Sequence, residues 1–167
     1  VIATGGVGTF AYQWYSNSTN SNTGGILIAG ATAANYSPPT NVVGTKYYYC
    51  VISQTGLGCS VTSSVSSIII NTSPTITTQP VGNTVCQNGI ANTLSFAYAN
   101  GVGIPTFQWY SNTINSNVGG TIVLFQNSAT FTPPTTSIGT FYYYCEITFP
   151  DLAGSCSTIK TNAATVI

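Results

Sequence analysis

Any chemistry done by this chain must come from a short supply of reactive groups. Lys46, Lys160, Glu146 and Asp151 are the only charged side chains, histidine is absent, and there are five cysteines, Cys50, Cys59, Cys86, Cys145 and Cys156. A serine nucleophile needs a base beside it, usually histidine or a desolvated lysine, and glycoside hydrolysis needs two carboxylates facing one cleft. Both carboxylates lie in the second half of the chain, and the counterpart of Glu146 in the first half is Val51. A catalytic site repeated in both halves is thereby excluded, and no catalytic or cofactor-binding residue is assigned. No metal site is assigned either: structural zinc requires four closely arranged thiolate or imidazole ligands, and calcium prefers several carboxylate oxygens. An isopeptide bond at Lys46 or Lys160 is disfavoured, because the two lysines do not occupy equivalent positions.

The cysteines suit disulfides better, which points to an oxidising compartment outside the cytoplasm. Cys50 and Cys59 enclose eight residues and Cys145 and Cys156 enclose ten, so the second hairpin is longer by an even number and side-chain facing is preserved. A tight turn centred on Gln54-Thr55, or on Pro150-Asp151, would set each pair opposite on neighbouring strands. Loop-closure entropy separates the choices little, at about 3 kcal/mol for so short a loop against about 4 kcal/mol for a bridge from Cys86 to Cys156. The hairpin pairs are favoured, while pairing of Cys86 with Cys156 or Cys145 stays open; an unpaired Cys86 could also link chains.

What must hold these residues is a module copied along the chain. Gln13-Trp14-Tyr15-Ser16-Asn17 returns as Gln108-Trp109-Tyr110-Ser111-Asn112, an offset of 95 residues. Gly24-Gly25, Pro38-Pro39 and Tyr47-Tyr48-Tyr49-Cys50 return at the same offset as Gly119-Gly120, Pro133-Pro134 and Tyr142-Tyr143-Tyr144-Cys145. Residues 75–94 have no counterpart ahead of Val1. The first copy is therefore expected to lack its opening strand or strands, either because the chain is a fragment or because another chain supplies the strand. Asn71-Thr72-Ser73-Pro74 separates the copies, giving expected boundaries of 1–70, a linker at 71–74, and 75–167.

Thr, Val, Ile, Tyr and Phe dominate each copy, and Gly, Asn and Pro recur every 8 to 12 residues or so, the pattern of an all-β sandwich without helices. Strands are expected near 75–79, 83–86, 93–99, 105–111, 121–125, 129–132, 140–148 and 157–166, with the last five repeated in the first copy. Asn88-Gly89, Asn100-Gly101 and Gly119-Gly120 fall between them, where left-handed backbone suits Gly or Asn. Trp14 and Trp109 take the place of the buried tryptophan of an immunoglobulin-type sandwich, with a sugar-stacking platform as the sharper alternative. Alternation along the tyrosine-rich strand puts Tyr143 and Cys145 on one face and Tyr142 and Tyr144 on the other. Tyr48 and Tyr143 then match the tyrosine corner, whose hydroxyl bonds back to the backbone. Tyr47, Tyr49, Tyr142 and Tyr144 would stand on the outer surface, as cross-strand packing or as a binding strip.

Several of these motifs act together. Thr78-Gln79-Pro80, Val85-Cys86-Gln87-Asn88-Gly89, Phe107-Gln108-Trp109-Tyr110, Thr132-Pro133-Pro134, Gly139-Thr140-Phe141-Tyr142-Tyr143-Tyr144-Cys145 and Gly154-Ser155-Cys156 resemble the Ig-like repeats of very large secreted surface proteins of Bacteroidota. The resemblance implies tandem immunoglobulin-like β-sandwiches, a place in an adhesin stalk or gliding-motility-type filament, and export by the type IX system. It carries no catalytic residues. Members commonly have an aliphatic residue where Cys50 and Cys145 stand.

The expected function is a structural or adhesive repeat at the cell surface, contacting neighbouring repeats and surface glycans or proteins. The alternatives are a carbohydrate-binding module of a secreted enzyme and a filament subunit completed by donor-strand exchange. Nucleic acid is a poor partner, because two isolated lysines cannot displace counterions from phosphates. Membrane insertion is not expected, since no apolar run approaches the ~18 residues a spanning helix needs.

Overall fold

A computed structural model describes residues 1–6, 8–56, 58–150 and 157–167. The chain is all-β: the described residues form strands and no helix. It divides into two compact units, Val1–Asn71 and Thr72–Ile167.

In unit 1, β1 (Phe10–Asn17), β2 (Ile26–Leu27), β3 (Gly44–Gln54), β4 (Ser60–Thr62) and β5 (Ser66–Ile70) make one antiparallel sheet. Its order is β2-β1-β3-β4, with β5 also on β3. Unit 2 begins with β6 (Thr75–Thr78), β7 (Leu94–Ser95) and β8 (Ala97–Ala99). It continues with β9 (Thr106–Asn112), β10 (Thr121–Ile122), β11 (Thr130–Phe131), β12 (Phe141–Thr148), β13 (Thr158–Lys160) and β14 (Ala164–Val166). The same five-stranded sheet recurs as β10-β9-β12-β13 with β14 on β12, and two short pairs, β6-β8 and β7-β11, are added.

Those added strands decide where the core is. In unit 2, Trp109, Tyr143, Cys145 and Ile147 from the large sheet close on Leu94, Phe96 and Phe131. Trp109 is 0% exposed, with Phe96 and Phe131 at ring-centroid distances of 5.9 and 5.5 Å. Trp14 is a correction to the expected core. It keeps Tyr36 at 5.9 Å, in the place of Phe131, but Val1 stands where unit 2 has Phe96, and the indole is only half-buried. The same lack of cover explains why residues 2–4 are not a strand. Their counterpart β8 pairs with β6, and among the described residues unit 1 has no such partner.

Several expected strands are shorter than read, broken or missing: 93–99 is interrupted at Phe96, 129–132 keeps only Thr130–Phe131, and the first-copy counterpart of 129–132 forms no strand. Residues 83–86 make two backbone hydrogen bonds with Ile167, Val85 N–H to its carbonyl at 2.8 Å and Ile167 N–H to Asn83 at 3.1 Å, and form no ladder. The 121–125 segment ends at Ile122, because Trp109 bonds both Val123 and Gln126 and the two residues between them bulge outward. The 157–166 segment breaks at 161–163, where the buried Thr161 hydroxyl accepts from Cys145 N–H at 2.9 Å. Ser63 makes the same bond to Cys50 N–H, also at 2.9 Å. Asn88 and Asn100 adopt φ +61° and +63°, as their turns require.

Candidate functional site

The repeated block is used up inside the fold, residue by residue. Gln13 Nε2 donates to the carbonyls of Trp14 and Ile28 at 3.0 and 2.8 Å, and Gln108 Nε2 to those of Trp109 and Val123 at 2.9 Å each. These bonds bind the segment after β2 or β10 to the sheet edge. The indole N–H of Trp14 donates to Ala33 and that of Trp109 to Ser128, both at 2.9 Å. Asn17 Nδ2 holds the carbonyls of Ser21 and Thr23, and Asn112 Nδ2 those of Ser116 and Val118, all at 3.1 Å. The amide roles of Gln and Asn escaped the sequence reading. Their identical recurrence beside each tryptophan was the available signal.

The tyrosine strip is the second correction. Tyr15 and Tyr49 are cross-strand partners with rings stacked at 5.2 Å, as are Tyr110 and Tyr144 at 5.1 Å. Tyr49 and Tyr144 do face away from the core cysteine, yet they are only 4% and 1% exposed. The Gly-Gly loop lies over them: Gly25 N–H donates to the Tyr49 hydroxyl at 3.0 Å, and Gly120 N–H to that of Tyr144 at 3.3 Å. Tyr47 and Tyr142 are half-buried, so the outer surface keeps little of the binding strip expected there. Tyr48 and Tyr143 are buried, and Tyr143 packs edge-on against Phe131 at 5.2 Å. Among the described residues neither hydroxyl makes a tyrosine-corner bond, and hydroxyl-to-backbone contact has passed to the next tyrosine along.

The hairpin disulfides are the third correction. The register pairs Ser53 with Ser60, and Gln54 N–H bonds the Cys59 carbonyl, so the turn lies two residues later than a Cys50–Cys59 bridge requires. Cys50 instead faces Ser63 and Trp14. At about 3.3 Å per residue along a strand, Cys50 and Cys59 are far beyond the ~7 Å that a bridge can span. Cys145 sits opposite Thr161; Cys156, its expected partner, lies outside the described residues. Cys50, Cys86 and Cys145 are free thiols, the first and last fully buried as small apolar side chains beneath the tryptophans.

Burial pushes the Cys145 thiol up to about 12 and raises Cys50 as well, whereas Cys86 is exposed. Since the thiolate is the nucleophile, iodoacetamide at pH 8 is expected to label Cys86 in the native protein and to spare Cys50 and Cys145 until urea is added. Peptide mass mapping checks this. Native labelling of Cys145 as fast as Cys86 would contradict the packed core.

Two of the described charges pair with each other. Glu146 and Lys160 are cross-strand partners joined at 3.0 Å, with Lys160 Nζ 5.7 Å from the Tyr144 ring centre. The hydrogen bond that Lys160 donates to the Glu146 carboxylate raises the Lys160 pKa. In unit 1 the same positions hold Val51 and Thr62, so the pair is local to unit 2. Asp151 lies outside the described residues.

A family model described as Domain of unknown function (DUF8696) matches residues 1–72, less than half of the chain. No curated protein matches it.

Proposed function

We propose that the chain is a non-catalytic structural or adhesive tandem repeat, immunoglobulin-like in each unit, of an extracellular cell-surface protein or filament. One observation carries this reading: the residues repeated letter for letter, Gln13 to Asn17 and Gln108 to Asn112, make matching contacts within their own units. Repetition here preserves a scaffold. Sequence resemblance to Bacteroidota surface repeats supports the location, and the scarcity of charge supports contacts that ionic strength hardly alters. Reach and avidity would come from many weakly binding copies in series.

The test is binding of the full chain to a glycan array and to intact cells at low and moderate salt, alongside Tyr47→Ala and Tyr142→Ala. A silent array with salt-insensitive cell adhesion is expected. Sharp glycan selectivity that vanishes with either tyrosine would overturn the scaffold reading in favour of a carbohydrate-binding module.

A further inference from the structure

The turn after β10 carries an aromatic residue where the backbone asks for glycine. Val123-Leu124-Phe125-Gln126 is closed by Gln126 N–H donating to the Val123 carbonyl at 3.3 Å, and Phe125, its third residue, has φ +62°. A positive φ there suits glycine, because a Cβ crowds the neighbouring carbonyl. Unit 1 makes the same turn with Ile28-Ala29-Gly30-Ala31, closed at 3.2 Å, with Gly30 at φ +76°. Phe125 thus occupies a strained position that the other copy fills without strain. The fold gains no burial in return: Phe125 is 91% exposed and Leu124, in the place of Ala29, is 70% exposed.

The two carbonyls that bracket this turn are already engaged. The Gln126 carbonyl accepts from Trp109 N–H at 3.0 Å and from Gln108 Nε2 at 3.4 Å, and the Val123 carbonyl accepts from Gln108 Nε2 at 2.9 Å. No backbone acceptor of the pair that closes the turn is left to orient a sugar over the ring, and the turn contains no charge. What projects is an apolar knob, and a knob is recognised by an apolar recess.

Unit 2 carries such a recess. A cleft of ≈ 450 Å³ is bordered by Val85, Ile138, Phe141, Val166 and Ile167, and no charged side chain lines it. That volume falls within the roughly 300–1,000 Å³ of pockets that enclose small ligands. Neither Leu124 nor Phe125 borders it, so knob and recess are separate surfaces of one unit. Both are uncharged, and no repulsion opposes their approach.

We propose that Phe125 of one molecule docks in the Val85–Ile138–Phe141 cleft of a second copy of this chain. The contact is heterologous: each joined pair keeps one knob and one recess unused, so association propagates head to tail. An aromatic anchor buries about 150–250 Å², well below the roughly 800 Å² per partner of a stable complex. The contact is therefore weak singly and effective where copies are concentrated or arrayed. It holds whether or not the chain works at a cell surface.

Sedimentation velocity of the full chain over rising concentration tests this, with Phe125→Gly and Ile138→Asp as variants. Phe125→Gly installs the residue that unit 1 uses, and Ile138 is 82% exposed, so both variants should fold. The unmodified chain is expected to associate, and each variant alone to stay monomeric at tenfold higher concentration. An equimolar mixture should form dimers and nothing larger, because one variant keeps the recess and the other the knob. A monomeric parent chain, undiminished association of Phe125→Gly, or no recovery in the mixture would overturn the proposal. Phe125-dependent sedimentation with phosphatidylcholine vesicles in place of self-association would also overturn it, and would assign the knob to a lipid surface.

Discussion

Trp109→Ala is expected to destabilise unit 2 by about 3–5 kcal/mol, the cost of removing a large aromatic from a closed core and leaving a cavity. For a single domain whose whole stability is about 5–15 kcal/mol, that brings unit 2 close to unfolding at ambient temperature. Trp14→Ala removes the same side chain from the same register position, opposite Cys50 as Trp109 is opposite Cys145. Its indole is half-buried, however, so less apolar surface returns to water, and the expected loss is at most about 2 kcal/mol. Both variants also lose an indole N–H bond to a carbonyl, which adds roughly 1 kcal/mol to each and leaves the contrast intact. Urea denaturation followed by circular dichroism measures the two losses. Equal costs would mean that the second layer of unit 2, with Phe96 over the indole, contributes nothing.

The sequence made legible whatever depends on local spacing. Alternation along β12 correctly put Tyr143 with Cys145 and set Tyr144 opposite, and Asn88 and Asn100 announced their left-handed turns. It failed where an outcome depends on what lies over a residue. Tyr144 was assigned to the right face and to the wrong environment, because burial there comes from a loop arriving from Gly120, 24 residues earlier. Trp14 and Trp109 sit in the same repeated block, Gln-Trp-Tyr-Ser-Asn, and what separates them is the second layer that brings Leu94 and Phe96 over the indole in unit 2. Cysteine pairing failed for a different reason. Hairpin register follows turn length, and moving the turn by two residues keeps every side chain on its face while carrying Cys59 away from Cys50. The repeated Gln and Asn left a signal in their exact recurrence, but their partners are backbone carbonyls, which no residue type reveals.

Comparing the copies sorts residues by role. Positions kept identical, such as Gln108, Trp109, Asn112 and Gly120, are those whose contacts hold the sheet edge and its covering loop. Positions that differ lie both in the core, where Val1 and Tyr36 become Phe96 and Phe131, and outside it, where Val51 and Thr62 become Glu146 and Lys160 and Ala29-Gly30 becomes Leu124-Phe125. The half-buried charge pair is worth little to stability, at most about 1 kcal/mol for such partly solvated partners. Phe125 acts against stability.

The adjacent glycines of each covering loop are expected to fail differently on substitution. Gly119 has φ +76° and open space where a Cβ would stand, so Gly119→Ala costs backbone strain alone, about 1–2 kcal/mol. Gly120 has an ordinary φ, but an added Cβ would lie 2.8 Å from the Ser111 carbonyl oxygen and 2.9 Å from Cε1 of Tyr144. The first neighbour is strand backbone and the second a ring stacked on Tyr110, so neither yields cheaply. Lifting the loop to make room also breaks the Gly120 N–H bond to the Tyr144 hydroxyl. Overpacking of about 1–3 kcal/mol and the lost bond of about 1 kcal/mol together give roughly 2–4 kcal/mol for Gly120→Ala. Tyr144→Phe isolates the hydrogen bond, with an expected loss of about 1 kcal/mol and the ring still covered. Gly25→Ala should reproduce the effect in unit 1, where the Cβ would meet the Ser16 carbonyl and Tyr49 at 2.8 Å each. Urea midpoints rank the series. A harmless Gly120→Ala beside a costly Gly119→Ala would show that the loop stands off the ring, and would return Tyr144 to the surface as a residue free to bind.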